Sequence, residues 1–413
     1  MKNKEFLYFP SFSVGNVANA MMKRQVLRNG LPMAFYSNEF PKEFRHTQYL
    51  TSAGHYYKKM NHIDDFGFSE VPDMQLLGDS GGYQICTGAI KWSPDLLPNI
   101  FQWLEANSHI AMNLDIPPRM KYAGKFNEAL EISVKNFKYF HENQSGRTKF
   151  INVLQGGDEI KFQKWYDAVK GFEFRGWGIG GCQGSIYKMM TAVKTLLHAK
   201  EHYNANTEYL HILGTSRVID FFILSQLQKS LNEMGSNVQV TTDSSTPSRT
   251  VTFGLFYHDV NFKNTTFGSI HVPKERADNN KDFGSLAGSN MQGSTALLPN
   301  LIPFDSLLEG GYTYEDLRDW TIECYATIVL HNFMFFKDTM HKINSYVGGH
   351  PYFLEQVTNS DTFLLLRAVD EMVKAYENGT TPQKVYDKYK SHFIKMSSQL
   401  DVGKTVIKHE FFK

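Results

Sequence analysis

LLGDSGGYQ (76–84) runs from a short apolar segment straight into an Asp and a pair of glycines, and the same grammar recurs five more times. AMNLDIPP (111–118), FINVLQGG (150–157), GWGIGG (176–181), LHILGTS (210–216) and VQVTTDSSTPSR (238–249) each end an apolar run in Asp or in a Gly-rich polar cluster. Helix-length amphipathic stretches separate them. This is the rhythm of parallel β/α units, and the polar groups of such a fold gather at the carboxyl ends of the strands, where α/β barrels build their sites. The spacing therefore predicts that Asp79, Asp115, Gln155, Gly180, Gly181 and Asp243 converge on one mouth.

Composition sets the bounds. The chain's 413 residues suffice for one barrel plus an accessory region. With 42% hydrophobic and 21% charged residues the chain reads as globular. A net charge of +1 gives no global polyanion-binding signature, although a local basic groove would suffice for nucleic acid. Three scattered cysteines (Cys86, Cys182 and Cys324) form neither a disulfide framework nor a zinc quartet, which fits a reducing compartment. MKNKEFLYFPSFS lacks a signal-peptide core, and no apolar run reaches the ~20 residues needed to span a bilayer. The expectation is a cytoplasmic protein without a membrane partner.

Along the chain, residues 1–73 read as aromatic-rich loops around short elements, and strand–helix alternation is clear from Met74 to about Arg249. Helices are expected at 129–142, 158–172, 187–202 and 216–235, where apolar residues recur at 3.6-residue spacing, with Gly235 as a stop signal. Residues 258–300 turn polar, with Lys263, Lys274, Arg276 and Lys281, and read as a linker or functional loop. Helical patterning returns after Tyr314. The expected division is a catalytic barrel over 1–257, a polar and basic region over 258–300, and a helical region over 301–413 that completes and extends the barrel.

Each strand-end residue has a structural and a chemical reading. Asp79 in GDSGGYQ can cap the next helix, and Asp243 in TTDSSTPSR can close an Asx turn. The paired glycines after Asp79 allow a tight turn and close backbone approach to a ligand. Together the two carboxylates fit glycosyl transfer, one as nucleophile at C1′ and the other handling protons. Asp115, Gln155 and the Gly180–Gly181 backbone can hydrogen-bond a heterocycle edge, and Tyr83 can stack on its face. Gly176, Gly178 and Gly181 also match a dinucleotide-binding spacing. The acidic partner at the right distance, Glu201, lies inside a helical pattern, which argues against that site. The histidines, including His211, show no metal-ligand spacing.

DSGGYQ at 79–84, the Asp115 strand end, LQGG at 154–157, GIGG at 178–181, ILGTSR at 212–217 and D-x-x-x-P-S-R at 243–249 together resemble the tRNA-guanine transglycosylase superfamily. Motif order, spacing and strand-end placement agree over about 170 residues. The resemblance implies an irregular (β/α)8 TIM barrel that exchanges guanine in a polynucleotide for a 7-deazaguanine base, through a covalent intermediate and without a cofactor. It implies Asp243 as nucleophile and Asp79 as general acid/base. Ser80, Tyr83, Asp115, Gln155, Gly180, Gly181 and Leu213 become the base-binding set.

Two departures accompany the matches. The tRNA enzymes carry a C-x-C-x-x-C…H zinc site; here His331 falls at the histidine position, but the cysteine positions hold Asn300, Ile302 and Asp305. No thiolate site can form from that set, so packing by LLPNLIPF (297–304) is expected to replace it, and a monomer or weak dimer is expected. The further arginine that follows the P-T-R turn in the tRNA enzymes is replaced by Thr250, Val251 and Thr252. These losses point to the DNA-acting branch found in bacterial and phage genomes, with preQ0-like bases as substrates, and to Arg249, Lys263, Lys274 and Arg276 as nucleic-acid contacts. A tRNA-guanine transglycosylase is the runner-up, and a non-catalytic nucleic-acid-binding partner subunit the third reading.

Overall fold

A computed structural model describes residues 4–271, apart from 12–15, 27–29, 31, 41, 43–44, 61 and 253–254, together with residues 322–411. Eight strands form one parallel sheet: β1 (Leu7–Pro10), β2 (Gln48–Ser52), β3 (Gln75–Asp79), β4 (Ile110–Met112), β5 (Lys149–Leu154), β6 (Gly176–Ile179), β7 (Tyr209–Ile212) and β8 (Gln239–Ser244). Their order is β1-β8-β7-β6-β5-β4-β3-β2. A parallel bridge between Ser11 and Leu50 brings β1 to β2, and the Ser11 amide also donates to the Ser244 carbonyl at 3.1 Å. The sheet is thereby closed into a (β/α)8 barrel, with both edge strands covered.

The alternation starts earlier than the sequence pattern predicts. LYFP and QYLTS, within the segment read as loops, are the first two strands. They are four and five residues long, and among the described residues the segment between them holds one seven-residue helix, Asn16–Met22, so the long amphipathic stretch that reveals the other units is missing. Farther on, Phe126–Asn143, Glu159–Val169, Ile186–His198 and Val218–Glu233 are helices at the expected places. Gly235 adopts φ +68° just beyond the last of them, the left-handed stop that glycine provides.

Residues 255–271, assigned from sequence largely to a polar loop, form an antiparallel hairpin of β9 (Leu255–Asn261) and β10 (Thr266–His271) outside the barrel. Phe267 of β10 stacks on Phe336, with centroids 4.6 Å apart. Phe336 and Phe333 belong to the helix Ile322–Gly348, which also packs on Tyr8 of β1. This helix touches both Asn16–Met22 and Val218–Glu233. It therefore takes the eighth helix position of the barrel.

A further layer covers the barrel helices. Ser360–Val373 packs on Val218–Glu233, where Ser230 Oγ donates to Asp370 at 2.7 Å. Pro382–Phe411 packs on Ile186–His198, with Tyr386 OH 2.7 Å from Thr191 Oγ1. Both covered helices are buried nearly all round, as a helix sandwiched between two layers must be. Among the described residues, no helix is long and apolar enough to cross a membrane.

Candidate active site

The parallel register sets the geometry of the mouth. Asp243 pairs with Phe9 across β8 and β1, and Asp79 pairs with Ser52 across β3 and β2. Both carboxylates thus sit at carboxyl ends of strands, separated around the wall by β1 and β2.

Asp243 is held from the neighbouring strand rather than by its own turn. Thr241 and Asp243 are two apart on β8 and share a face, while His211 of β7 lies opposite Thr241. The buried His211 ring bridges them, Nδ1 to Thr241 Oγ1 at 2.8 Å and Nε2 to Asp243 Oδ1 at 3.1 Å. A carboxylate only accepts, so Nε2 carries a proton and, in the neutral ring, Nδ1 accepts from the threonine hydroxyl. The Gly214 amide adds a second donor to Oδ1 at 2.7 Å. Gly214 needs to be glycine: φ is +66°, and a Cβ would lie 2.7 Å from Gln183 Nε2. The turn role available to Asp243 is taken by Ser244, whose Oγ accepts the Thr246 amide at 2.9 Å.

Asp79 accepts Ser52 Oγ at 2.7 Å and the Gly81 amide at 3.3 Å. Burial nevertheless pushes its pKa above the ordinary carboxylate range, and the Asp243 charge raises it further, against the lowering effects of those two bonds and of His55. The glycines of DSGG do serve a turn and a close approach, but the approach is to protein: a Cβ on Gly82 would lie 2.3 Å from the Asp115 carbonyl oxygen. Gly81 adopts φ +86°.

That contact locks the β3 loop onto the β4 loop and places Asp115 beside Asp79. Asp115 is buried, accepts Gln155 Nε2 at 2.8 Å, and has its pKa pushed up to about 7, first by burial and then by the Asp79 charge. Gln155 lies directly over Gly180, where a Cβ would fall 2.1 Å from its Nε2. Gly181 follows in the left-handed region at φ +74°. Ser80 is buried and donates to the Asn113 carbonyl at 3.2 Å, a supporting bond rather than a free hydroxyl. Leu213 is partly buried beside Gly178. Tyr83 is 48% exposed on the short helix Gly82–Thr87, with the Arg119 guanidinium 5.0 Å from its ring centroid. Arg119 also donates to Gln183 Oε1 at 3.1 Å, spanning the β4 and β6 loops.

Asp79, Asp115, Gln155, Gly180 and Gly181 therefore form one connected group, and Asp243 joins it through its charge on Asp79. Arg249 lies on the helix Thr246–Thr252 just after Asp243 and is exposed. Lys263 lies exposed in the turn of the β9–β10 hairpin, with its backbone carbonyl accepting from Asn359 in the outer helical layer. Lys274, Arg276 and Lys281 lie outside the described residues, as do Asn300, Ile302, Asp305 and LLPNLIPF. At the zinc-histidine position, His331 is buried and bonds the Tyr257 carbonyl at 2.7 Å through Nε2. With no cysteine at the partner positions, this set does not fit a structural zinc.

GWGI of this motif forms β6 itself, with Gly176 at its start and Gly178 within it, so these two glycines do not make the strand-to-helix turn of a dinucleotide site. Sequence reasoning missed Ser52, His211, Thr241 and Arg119. Ser52 was hidden with its strand. His211 had a signal in the sequence, a polar residue inside the apolar run LHIL, but only strand register pairs it with Asp243.

No family model matches the chain, and no curated protein sequence matches it. Among solved structures, a psychrophilic glycoside hydrolase family 10 endo-beta-1,4-xylanase aligns at 12% identity and a TM-score of 0.33, over 58% of this chain and 86% of that one. A likeness this distant bears on neither reaction nor substrate.

Proposed function

We propose that the protein is a DNA-guanine transglycosylase that exchanges guanine in DNA for a 7-deazaguanine base by double displacement. The observation that carries this reading is the unequal treatment of two carboxylates at one barrel mouth. Asp243 is oriented by two donors on a single oxygen, as a positioned nucleophile requires. Asp79 is pushed toward its protonated form by burial, as a proton-handling group working near neutrality requires. Asp243 attacks C1′ while Asp79 protonates the departing guanine; the incoming base gives its proton to Asp79 and displaces Asp243. C1′ inverts twice, so configuration is retained. Asp115 and Gln155 read the base edge beside Gly180 and Gly181, and Tyr83 covers its face. A guanine taken out of a duplex stack requires a few kcal/mol, which phosphate contacts such as one from Arg249 would offset.

The choice of DNA is supported by the non-cysteine residues at the zinc positions and by Thr250, Val251 and Thr252 after the P-S-R turn. The test is incubation of the protein with guanine-containing DNA or with tRNA, followed by denaturing electrophoresis. A denaturation-resistant adduct on DNA is the expected outcome, and adduct on tRNA alone would turn the assignment to tRNA-guanine transglycosylase. Folded protein inert on both polymers would leave the non-catalytic binding reading.

A further inference from the structure

The two oxygens of Asp243 have different surroundings. Oδ1 faces the Gly214 amide at 2.7 Å and His211 Nε2 at 3.1 Å. Among the described residues Oδ2 has no hydrogen-bond partner, and the side chain keeps 16% of its surface exposed. His211 is itself anchored from behind by Thr241 Oγ1 at 2.8 Å and is almost wholly buried. The ring therefore cannot follow Asp243 if the carboxylate turns away, and it presents its donor to one oxygen only.

Resting on the function proposed above, we propose that Oδ2 is the attacking atom and that His211 is a positioning residue that favours the free carboxylate over the glycosyl ester, thereby promoting the second displacement. In the first displacement an Oδ2 lone pair forms the bond to C1′ while the C1′–N9 bond breaks. The electron pair leaves with guanine, which takes a proton from the Asp79 carboxyl. Oδ1 becomes the carbonyl oxygen of an ester, a weaker acceptor than a carboxylate oxygen. The His211 and Gly214 donors thus bind the free carboxylate more strongly than the ester. In the second displacement the incoming base loses its N9 proton to Asp79 and its lone pair bonds C1′. Oδ2 recovers its pair, and the returning charge spreads onto Oδ1 beneath two donors already in place.

This division has a signature that simple damage to the site would not produce: removing the His211 donor raises the amount of covalent intermediate. The full-length wild type, His211→Leu, His211→Gln and Thr241→Val are incubated with a guanine-containing DNA oligonucleotide and a fixed concentration of free guanine, so that only the first displacement and its reversal operate. For His211→Leu the equilibrium ratio of adduct to free enzyme should rise about tenfold, the equivalent of about 1.4 kcal/mol and of one hydrogen bond to a charged group. Chase of the adduct by free base should slow. His211→Gln, whose amide Nε2 can donate to Oδ1, should return toward wild type, and Thr241→Val should shift the ratio upward by a few-fold. An unchanged or lowered ratio in a folded His211→Leu protein overturns the inference, as does a glutamine variant no better than leucine. If His211→Leu does not fold, an unchanged ratio in Thr241→Val overturns it. Wild type that forms no adduct overturns the proposed function and this inference with it, whereas wild type that forms adduct while the variants match it overturns the inference alone.

Discussion

Asp243 ends β8 and Asp115 follows β4, four strands apart across one barrel mouth, and their surroundings differ in kind. Asp243 leans on rigid donors from the next strand, a buried imidazole and a glycine amide. Asp115 lies deeper, meets one side-chain amide, and has its pKa pushed up to about 7. The same side chain is thus held by two donors on one oxygen at one strand end and pushed toward its neutral form at another, as the proposed roles of attack and base recognition require. Burial and the identity of the donors make the difference, not the residue type. Asp79 lies between these extremes, with two donors that do not fully offset its burial.

The strongest way to break this contrast is to remove the proposed nucleophile. Asp243→Asn should abolish the adduct and lower base exchange on the order of 10⁴-fold or more, with an unchanged melting curve as the control for folding. Asp79→Asn should slow exchange about 10²- to 10⁴-fold, read in a radiolabelled-guanine assay; a variant as active as wild type would remove Asp79 from proton handling.

Asp115 sharpens the comparison through pH. Its folded pKa lies above the unfolded carboxylate value, so the folded state holds the extra proton between about pH 4 and 7 and stability declines as pH rises through that window. Asp115→Asn should remove the decline and stabilise the protein by up to about 4 kcal/mol at pH 8, with little change at pH 3, measured by denaturant unfolding across that range. On the proposed function the same ionisation supplies the acceptor for base N–H groups, so KM for the incoming base should fall between pH 6 and 8 in wild type and stay flat in the variant.

Gly180→Ala tests whether the cradle depends on Gln155 lying flat over β6. The new methyl would collide with its amide, and KM for the base should rise about tenfold, as loss of one to two kcal/mol of binding implies, with kcat less affected. The smallest effect is expected in the outer layer. Lys390→Met breaks the 2.6 Å bridge to Glu159 that ties the last helix to the barrel, a partly exposed pair whose loss should lower stability by less than about 1 kcal/mol and leave exchange untouched. A large activity loss there would couple the helical layer to the mouth.

Local pattern made six of the eight strands legible, because each has an apolar run, a polar strand end and a helix-length interval behind it. LYFP and QYLTS were not legible, because among the described residues only the seven-residue helix Asn16–Met22 lies between them, too short to show a helical period. For the same reason Ser52, the donor to Asp79, could not be foreseen. The β9–β10 hairpin was obscured by its polar character and by Lys263, which sits at its turn. DSGG was readable as a site of close approach, while its contact, the Asp115 backbone, was not.

The sequence by itself determined the succession of β/α units and the residue types at their carboxyl ends, since strand and helix periodicities and glycine's conformational range act over a few residues. Closure of the sheet through Ser11 and Leu50, the eighth helix supplied from Ile322–Gly348, and the pairing of His211 with Asp243 were decided only by the tertiary structure. Those relations join residues tens to hundreds of positions apart through register and packing. Register, not proximity in the chain, puts two donors on one oxygen of Asp243 and, among the described residues, leaves the other without one.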